Sequence, residues 1–424
     1  MRVLIVNTSE LTGGAAVAAN RLKDALNNNG VKAKMLVRDK TTDDITVVEL
    51  PGNAHSQRNF LFERWGIYMR LHFSKVNLWR IDTASFGTDI TGLREFKEAD
   101  VIHLSWINQG MLSLKNIQRI IDSGKPVVWT MHDEWMATGI CHYTSGCTRF
   151  REGCHNCPLL PDGGSDHDLS YKIWQRKREL LRGSRIRFVA CSEWLEKEAL
   201  SSALLTGQRV THIPNPIDMN LFRPLDKAEC RLRTGLPADK NIILFVSQRV
   251  NDKRKGMSYL VKALDRLTSQ HAEIRDNTVI AVLGGHSEEM RDWISLPVYP
   301  LGYVNDHKKI VEIYNSADVF VLPSMEDNLP NTVMEAMACG IPTVAFRTGG
   351  IPEMIEHGQT GFLAEYANAD SLADGLWQAL SVLNRDEVRE NCLKNVRHKY
   401  SQHAVAMQYL EVYNEALEGR KPNL

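Results

Sequence analysis

Three carboxylate side chains surround a proline in the stretch PSMEDNLPNTVMEAMACGIP, residues 323–342. Glu326 and Asp327 precede Pro330, and Glu335 follows it, at a point where a helix is expected to begin. Proline suits the first turn of a helix because its backbone angle is already helical and its missing N–H is not needed there. The free N–H groups and the positive dipole end of such a helix favour an anionic phosphate.

Neighbouring residues of the same stretch are polar or leave their backbone available. Asn328, Leu329 and Asn331 are expected to donate backbone or amide hydrogen bonds to a ligand at the helix start. The alternative is that Asp327 or Asn328 only caps the helix, as short polar side chains often do. Residues elsewhere in the chain are needed to distinguish a ligand site from a helix cap.

Two cations stand six residues apart in SQRVNDKRKG, residues 247–256. Arg249 ends an apolar strand pattern, and Lys255 closes the polar loop that follows it. Ligands of open α/β sheets bind at this carboxyl edge, where Arg and Lys could neutralise a diphosphate without a metal ion. The alternative is a solvated basic turn, because Lys253 and Arg254 lie beside them.

The first half of the chain offers a glycine turn and a histidine at strand ends. In NTSELTGGAAVAANRL, Gly13 and Gly14 follow a strand and would let the backbone approach a ligand closely, although a plain tight turn is the alternative. His132 ends the strand pattern PVVWTMH, where active sites of α/β folds gather. His103 and Trp106 end another strand and fit either an acceptor pocket or the core.

Four cysteines cluster in CHYTSGCTRFREGCHNC. Cys141, Cys147, Cys154 and Cys157 have the spacing C-x5-C-x6-C-x2-C. Four thiolates within a short loop suit a tetrahedral structural zinc, so zinc is one expectation. The spacing is not that of a common zinc ribbon, and reduced thiols and disulfides remain open as alternatives.

Aromatic and basic residues alternate in SQRNFLFERWGIYMRLHFSKVNLWR, residues 56–80. One interpretation is an amphipathic face that touches a membrane or a lipid-linked acceptor, giving the protein a peripheral membrane contact. The other is an ordinary docked helix with a solvated basic side. We favour the docked helix, because aromatic stripes mostly belong to a core.

Short apolar runs that alternate with amphipathic stretches must position these residues. Runs that are apolar on both faces are typical of parallel strands buried between helices. Ten such strands are predicted, at 3–7, 100–106, 126–131, 187–191, 210–214, 242–247, 278–284, 298–302, 318–323 and 342–346. The series predicts an α/β protein with two doubly wound domains.

The join between the domains is expected in the strand-free segment 214–240, which is rich in Pro, Asp and Asn. We therefore predict an N-terminal domain over 1–215, which contains the cysteine-rich loop 141–158, and a C-terminal domain over 216–400. A final helix is expected over 401–424, packing back towards the N-terminal domain.

The composition fits a globular protein of two domains. The 424 residues include 51 basic and 51 acidic side chains, and this balance argues against a nucleic-acid partner. No apolar run approaches the roughly 20 residues of a membrane span. The chain opens with MRVLIVN, a buried-strand pattern without a secretory leader, so a cytoplasmic location is expected, with or without peripheral contact at the inner membrane face.

The order of motifs in the second half resembles that of the retaining glycosyltransferases of family 4, which have the GT-B architecture of two Rossmann-like domains facing a central cleft. The resemblance runs over residues 212–363. It is carried by HIPNPIDMNLF, SQRVNDKRKG, GYV, ADVFVLPS, NLPNTVMEAMACGIPTVA and GGIPEMIEHGQTGFL.

The resemblance implies a role for each matching residue. Arg249 and Lys255 would clamp the donor diphosphate, and Glu335 would hold the ribose hydroxyls. The family's first Glu stands eight residues earlier, where this chain has Asp327, shorter by one methylene, which would bind the donor sugar. Glu326 would stand outside the frame.

Further roles follow from the same resemblance. The strand end at Tyr303 would pair with the donor base, and the turn of Gly13 and Gly14 would abut the diphosphate and the acceptor. His132 would face the donor sugar and serve positioning and charge stabilisation rather than act as an obligate base. A catalytic metal is not expected, and no Asp-x-Asp motif appears in the manner of a metal-dependent transferase.

The implied activity is that of a hexosyltransferase. It would move a sugar from a nucleotide-diphosphate sugar to a hydroxyl of a glycan or lipid-linked oligosaccharide, with retention at the anomeric carbon, in bacterial surface polysaccharide biosynthesis. Two alternatives remain open. A nucleotide-sugar epimerase can share this architecture, and a non-catalytic glycan-binding protein would not need the Arg–Lys–carboxylate set.

Overall fold

A computed structural model of the protein describes residues 1–419. The chain divides into two compact units. The N-terminal unit holds Met1–Pro216 and the chain from Gln402, and the C-terminal unit holds Ile217–Ser401. Each unit is built around a parallel sheet.

The sheet of the N-terminal unit has seven strands in the order β3-β2-β1-β4-β5-β6-β7. They are β1 (Arg2–Ser9), β2 (Lys32–Asp39), β3 (Val47–Glu49), β4 (Val101–Leu104), β5 (Val127–Met131), β6 (Arg187–Ala190) and β7 (Arg209–His212). Sequence order reverses between β1 and β4, which makes this the switch point of a doubly wound sheet.

The sheet of the C-terminal unit has six strands in the order β10-β9-β8-β11-β12-β13. They are β8 (Asn241–Arg249), β9 (Thr278–Gly285), β10 (Val298–Gly302), β11 (Val319–Leu322), β12 (Thr343–Phe346) and β13 (Gly361–Ala364). The order reverses between β8 and β11, so the second switch point lies where Arg249 ends its strand.

These two sheets confirm the predicted α/β class and all ten predicted strands. Three strands were missed. β2 carries Lys32 and Lys34 at exposed positions, which break its apolar pattern. β3 has only three residues, and β13 begins at a glycine, so its apolar run is only Phe362, Leu363 and Ala364.

Helices cover both sheets. The N-terminal unit has α1 (Gly14–Asn28), α2 (Asn53–Arg70), α3 (Arg94–Glu98), α4 (Leu114–Asp122), α5 (Leu169–Leu181), α6 (Glu193–Ser201) and α15 (Gln402–Glu418). The C-terminal unit has α7 (Lys227–Thr234), α8 (Met257–Gln270), α9 (Ala272–Asn277), α10 (His307–Ser316), α11 (Asn331–Ala338), α12 (Ile351–Met354), α13 (Ala369–Ser381) and α14 (Arg385–Lys399). In the part of the chain described, no helix is long and apolar enough to cross a membrane.

Helix α15 packs into the core of the N-terminal unit. Val405, Tyr409 and Val412 are buried, as their helical spacing predicts, and they join a cluster that includes Val3 and Ile5 of β1. The last helix thus completes a sheet face built from the other end of the chain.

The aromatic residues of helix α2 are not in the core, where the sequence interpretation expected them. Trp65 is 54% exposed and Phe62 46% exposed, whereas Glu63 and Arg64 of the same helix are buried. The physical reason is that Glu63 accepts hydrogen bonds from the backbone of residues 83–86 and Arg64 pairs with buried Asp82. Polar contacts therefore dock this helix, and the expectation of buried aromatics is wrong.

Candidate active site

The carboxyl edge of the C-terminal sheet brings two predicted loops together. β8 and β11 are parallel neighbours, with Ile243 opposite Val319, so their following loops emerge at one edge. The loop after β8 ends in a short 3₁₀ turn at Lys253–Lys255, and the loop after β11 carries Asp327. The sequence analysis predicted the cations and carboxylates of the site at this edge.

An ion pair joins the two loops. Nζ of Lys255 lies 2.6 Å from Oδ2 of Asp327. Burial by itself would raise the pKa of the Asp327 carboxyl, but the charges of Lys255 and Arg254 outweigh it and hold that pKa below its usual range. Asp327 is therefore a carboxylate at neutral pH, although it is only 8% exposed.

Arg254 is a residue of this edge that the sequence interpretation missed. Its Nη1 donates to the backbone carbonyl of Glu326 over 2.9 Å and lies 3.9 Å from Oδ2 of Asp327. The backbone N–H of Met325 donates in return to the carbonyl of Arg254. No local pattern separates Arg254 from the solvated Lys253 beside it, so only the fold reveals its contact.

Two glycines allow these loops to approach each other. A Cβ on Gly256 would lie 1.8 Å from the carbonyl oxygen of Pro323, and one on Gly349 would lie 1.8 Å from that of Asp327. Both glycines also have positive φ, 70° and 54°, which side chains rarely adopt. The position of Asp327 thus depends on glycine at two sites of neighbouring turns.

Helix α11 begins beside this pair without a side-chain cap. Its N-cap residue is Pro330, which makes no side-chain capping bond. The alternative that Asp327 or Asn328 occupies the N-cap position is therefore wrong. The start of this eight-residue helix has no side-chain cap on Pro330, and its positive dipole end would favour an anion.

The carboxylate of Glu335 accepts a hydrogen bond from a tyrosine that sequence reasoning missed. Oη of Tyr314, a fully buried residue of α10, donates to Oε2 of Glu335 over 2.9 Å. This hydrogen bond fixes the orientation of the Glu335 carboxylate. The signal for Tyr314 was only its place in an apolar helical stripe, which also fits a core residue.

The remaining donor-site residues of this unit lie on the same set of strand and helix ends. Arg249 ends β8 with an exposed side chain, and Tyr303 directly follows β10 and is 58% exposed. Asn328 and Leu329 are buried before the helix, and Asn331 is its first residue. Their roles toward a ligand remain predictions.

The N-terminal unit brings three strand ends together around His132. Nε2 of His132 lies 2.9 Å from Oγ of Ser105, and Nδ1 lies 3.3 Å from Sγ of Cys191. The three residues follow β5, β4 and β6, which are neighbouring strands. Sequence reasoning found the histidine but neither of its partners, because each stands alone at the end of a different strand.

His132 is held uncharged. Burial lowers the pKa of its imidazole to about 4, and the nearby charge of Asp133 offsets this only in part. Burial also keeps the thiol of Cys191 protonated by raising its pKa. Both ring nitrogens contact side chains of this unit, and at neutral pH the imidazole carries a single N–H, so it is uncharged and is not a general acid.

The other polar residues of these strand ends have structural partners. His103 is fully buried between Tyr413 and Thr130, which settles its alternative in favour of the core. Trp106 donates its indole N–H to Asp133 over 2.8 Å. Asp133 is thereby occupied by residues of its own unit.

Gly13 and Gly14 lie at the start of α1, which follows β1 at the same carboxyl edge. Gly13 is the N-cap residue, with φ of 93°, and no side chain caps the helix. The positive φ explains a glycine at position 13 without any ligand. Its predicted contact with a diphosphate remains a prediction.

The prediction of a structural zinc at Cys141, Cys147, Cys154 and Cys157 is not supported. Within residues 1–419 no group of three or more His, Cys, Asp or Glu side chains is arranged to hold a metal ion, and all four are free cysteines. Sγ of Cys154 instead accepts the N–H of Gly139 over 3.1 Å. Burial raises the pKa of Cys154 to about 11, so without a metal ion its sulfur is a protonated thiol at neutral pH.

Buried Lys177 supports the segment that precedes the cysteine-rich loop. Its Nζ donates to the carbonyls of Trp135 and Thr138 and lies 3.4 Å from the centre of the Trp135 ring. Burial lowers the pKa of Lys177 to about 7. Hydrogen bonds and this cation–π contact hold that segment.

Solved structures define the class of this fold. Sucrose-phosphate synthase from Thermosynechococcus elongatus matches with a TM-score of 0.67 and 18% identity over 99% of both chains. The Anabaena protein HepE, solved in complex with UDP-glucose, matches with a TM-score of 0.62 and 15% identity over 98% of this chain and 100% of that one. The two α/β units are those of a GT-B glycosyltransferase fold.

Family models identify the glycosyltransferase family to which the chain belongs. A model described as Glycosyltransferase Family 4 matches residues 12–221, and one described as Glycosyl transferases group 1 matches residues 240–381. Together they cover most of the chain. The protein belongs to the group 1, family 4 type of glycosyltransferases, as its motifs indicate.

Curated relatives agree with this placement. An uncharacterized glycosyltransferase of Methanocaldococcus jannaschii is 27% identical over 80% of this chain and 90% of its own length. The D-inositol 3-phosphate glycosyltransferase of Thermobispora bispora is 29% identical over 55% of this chain and 56% of its own. A putative colanic acid biosynthesis glycosyl transferase of Escherichia coli is 27% identical over 60% of this chain and 62% of its own.

Proposed function

We propose that the protein transfers a hexose from a nucleotide-diphosphate sugar to a hydroxyl of a glycan or a lipid-linked oligosaccharide, with retention of configuration at the anomeric carbon. The observation that carries this proposal is the contact of 2.6 Å between Lys255 and Asp327 beside the uncapped start of α11. A cation, a carboxylate and the positive end of a helix at one sheet edge match the charges and hydroxyls of a sugar diphosphate.

In this proposal the donor is held by its two ends. Arg249, Lys255 and the start of α11 bind the diphosphate, and their positive charge serves in place of a catalytic metal. Glu335, oriented by Tyr314, accepts the ribose hydroxyls, and Tyr303 lies at the base. Asn328, Leu329 and Asn331 supply further hydrogen bonds at the helix start.

Asp327 and His132 act near the sugar. Asp327 binds sugar hydroxyls and, through its negative charge, supports the positive charge that develops on the ring. His132 contributes an uncharged imidazole, consistent with its pKa of about 4. Gly13 and Gly14 lie where the diphosphate and the acceptor meet.

The chemical step follows from the stabilisation of the leaving group. The bond between the anomeric carbon and the diphosphate oxygen breaks with its electron pair going to the diphosphate, whose charge the cations stabilise. The acceptor oxygen attacks from the same face and forms the new bond to the anomeric carbon. Its proton passes to an oxygen of the departing phosphate, so no separate base is required.

We place the reaction in bacterial surface polysaccharide biosynthesis, in the cytoplasm or at the inner face of the membrane. The support is the naming of the Escherichia coli relative for colanic acid biosynthesis. The complex of HepE with UDP-glucose supports a uridine diphosphate sugar as the first donor to try.

The test begins with donor binding. Purified protein is heated with a panel of nucleotide sugars, and a true donor at about 100 times its Kd raises stability by about 2.7 kcal/mol. Turnover is then followed with and without a lipid-linked oligosaccharide, and the product linkage is determined by NMR. Conversion of donor without acceptor would identify an epimerase, binding of glycan without donor turnover would identify a glycan-binding protein, and an inverted linkage would exclude retention.

A further inference from the structure

Helix α2 buries several polar side chains and exposes several large apolar ones. The buried stripe contains Ser56, Asn59, Glu63, Arg64, Ile67 and Leu71. The outer face contains Leu61, Phe62, Trp65 and Met69, and Leu61 is 61% exposed. An ordinary surface helix keeps its large apolar side chains in the stripe that faces the core, whereas α2 buries Ile67 but exposes these four.

The inner residues have a structural task. Glu63 accepts hydrogen bonds from Thr83, Ser85 and Phe86, and Arg64 donates to the carbonyls of Leu78 and Ile81. These bonds fasten the segment 78–86 beneath the helix. The outer apolar residues are not needed for that task, so the packing of this unit does not explain them.

Exposed rings of the following segment extend the outer face. Phe62 lies 5.6 Å from Phe86 between ring centres, and Trp65 lies 6.5 Å from Phe73. We define the α2 surface as the exposed side chains of this region: Leu61, Phe62, Trp65, Met69, Phe73, Val76, Trp79 and Phe86. Exposed apolar groups gathered in one region usually mark an interaction site.

The charge of this region is one-sided. Arg58, Arg70, Lys75 and Arg80 are exposed, whereas the only acidic residue between 53 and 80, Glu63, is buried. Arg70 and Arg80 bond neutral groups, the carbonyl of Gly66 and the hydroxyl of Ser145. The chain as a whole has equal numbers of acidic and basic residues, so this local excess of positive charge is distinctive.

A cavity of about 490 Å³ opens at the end of α2. Its wall combines cations and apolar groups, including Arg70, His72, Lys172 and Arg176 beside Met69 and Ile173. Asp162 and Asp168 also line it, and the N–H groups of Cys157 and Tyr171 bond the carboxylate of Asp168. A cationic cavity with an apolar wall next to exposed rings fits a lipid headgroup.

We propose that the α2 surface docks on a bilayer that contains anionic lipids. Tryptophan and phenylalanine enter the boundary between headgroups and acyl chains, while arginine and lysine beside them meet the lipid phosphates. The charge complementarity favours a bilayer over a second copy of this chain, because two copies would bring like charges together. The structure contains no helix that spans a membrane within residues 1–419, so the attachment is peripheral.

The α2 surface is a membrane-binding surface in addition to the proposed active site. This inference rests on the proposed function only in that a lipid-linked acceptor would be found at a membrane. Its test uses no donor, acceptor or turnover. Failure of vesicle binding therefore leaves the transferase proposal standing, and failure of transfer leaves the membrane proposal standing.

The experiment is flotation of the full-length protein with vesicles. One set contains phosphatidylcholine alone, and the other contains phosphatidylcholine and phosphatidylglycerol in equal amounts. Wild-type protein is expected to float with the anionic vesicles at low ionic strength, to be released as salt is added, and to bind phosphatidylcholine about tenfold more weakly. Equal binding to both sets, or to neither, would overturn the proposal.

Two pairs of variants test the two parts of the surface. Trp65→Ser with Phe73→Ser is expected to weaken binding about tenfold, whereas Trp293→Ser, an exposed tryptophan of the C-terminal unit, leaves it unchanged. Arg58→Glu with Lys75→Glu is also expected to weaken it about tenfold, whereas Lys115→Glu with Lys262→Glu makes the same charge change on other exposed helices without effect. Equal losses in test and control variants would contradict the assignment.

A second copy of the chain is the rival occupant. Sedimentation equilibrium without vesicles separates it from the bilayer. A monomer that floats with anionic vesicles supports the proposal. A dimer that Trp65→Ser converts to monomer would overturn it, and thermal melting of each variant shows that the fold is intact.

Discussion

Lys255 and Asp327 form an ion pair of 2.6 Å between the loops that follow β8 and β11. In the proposed function one residue serves the diphosphate and the other serves the sugar. Their contact means that each orients the other before a donor arrives. Both roles therefore depend on one pair, and a change in either residue is expected to affect both ends of the donor.

Replacing Asp327→Asn removes the charge that compensates Lys255. We expect kcat/KM to fall roughly a hundredfold and the free energy of unfolding to fall by about 1–3 kcal/mol. Glu326→Gln is the matched control, because Glu326 is predicted to stand outside the frame and should keep activity near wild type. Steady-state kinetics and urea unfolding of both variants give the comparison, and equal effects at the two positions would contradict the assignment.

Replacing Arg249→Ala and Lys255→Ala together removes two cations from the proposed diphosphate site. Each charge-assisted hydrogen bond contributes about 1.5–3 kcal/mol, so donor affinity should fall by at least about a hundredfold. Lys253→Ala changes an exposed cation of the same loop and should bind the donor normally. Titration calorimetry with the donor and with UDP decides the matter, and unchanged affinity in the double variant would exclude the diphosphate assignment.

Replacing Gly349→Ala pushes a methyl group against the backbone of Asp327. The added Cβ would lie 1.8 Å from the carbonyl oxygen, so the turn must move and carry Asp327 with it. We expect a loss of about 1–3 kcal/mol in stability together with weaker donor binding. Gly358→Ala has a similar positive φ of 80° but no atom within 4 Å of its Cβ, so it should lose stability without losing donor affinity.

Patterns of single strands and loops predicted much of the fold and part of the candidate site. All ten apolar runs became strands, and the loops that carry Arg249, Lys255 and Asp327 lie at the edge expected for them. These features are local, because they depend on a few consecutive residues and on the rule that parallel strands share a carboxyl edge.

What the sequence did not predict depends on contacts between distant segments. Arg254 bonds a loop 72 residues away, and Tyr314 reaches Glu335 from another helix. The zinc interpretation is not supported, because closeness in sequence does not ensure the arrangement of side chains that a metal ion needs, and none is found within residues 1–419. The prediction of buried aromatic residues on α2 was wrong because polar residues of this helix bond a neighbouring segment. The periodicity of the helix itself does not reveal such contacts.

His132 provides a test of the uncharged imidazole through pH. Its pKa is about 4 in the folded protein against an ordinary value of 6.5, so between these two values the unfolded chain binds a proton that the folded protein does not. Stability from the neutral ring is therefore fully present above pH 6.5 and is lost as the pH falls towards 4. We expect His132→Gln to flatten this part of the curve of unfolding free energy against pH, whereas His398→Gln, an exposed histidine on α14, leaves it as in wild type. Urea unfolding at a series of pH values measures the difference, and curves of wild type and His132→Gln that run parallel between pH 4 and pH 6.5 would show that the ring has the same pKa in the folded and the unfolded chain.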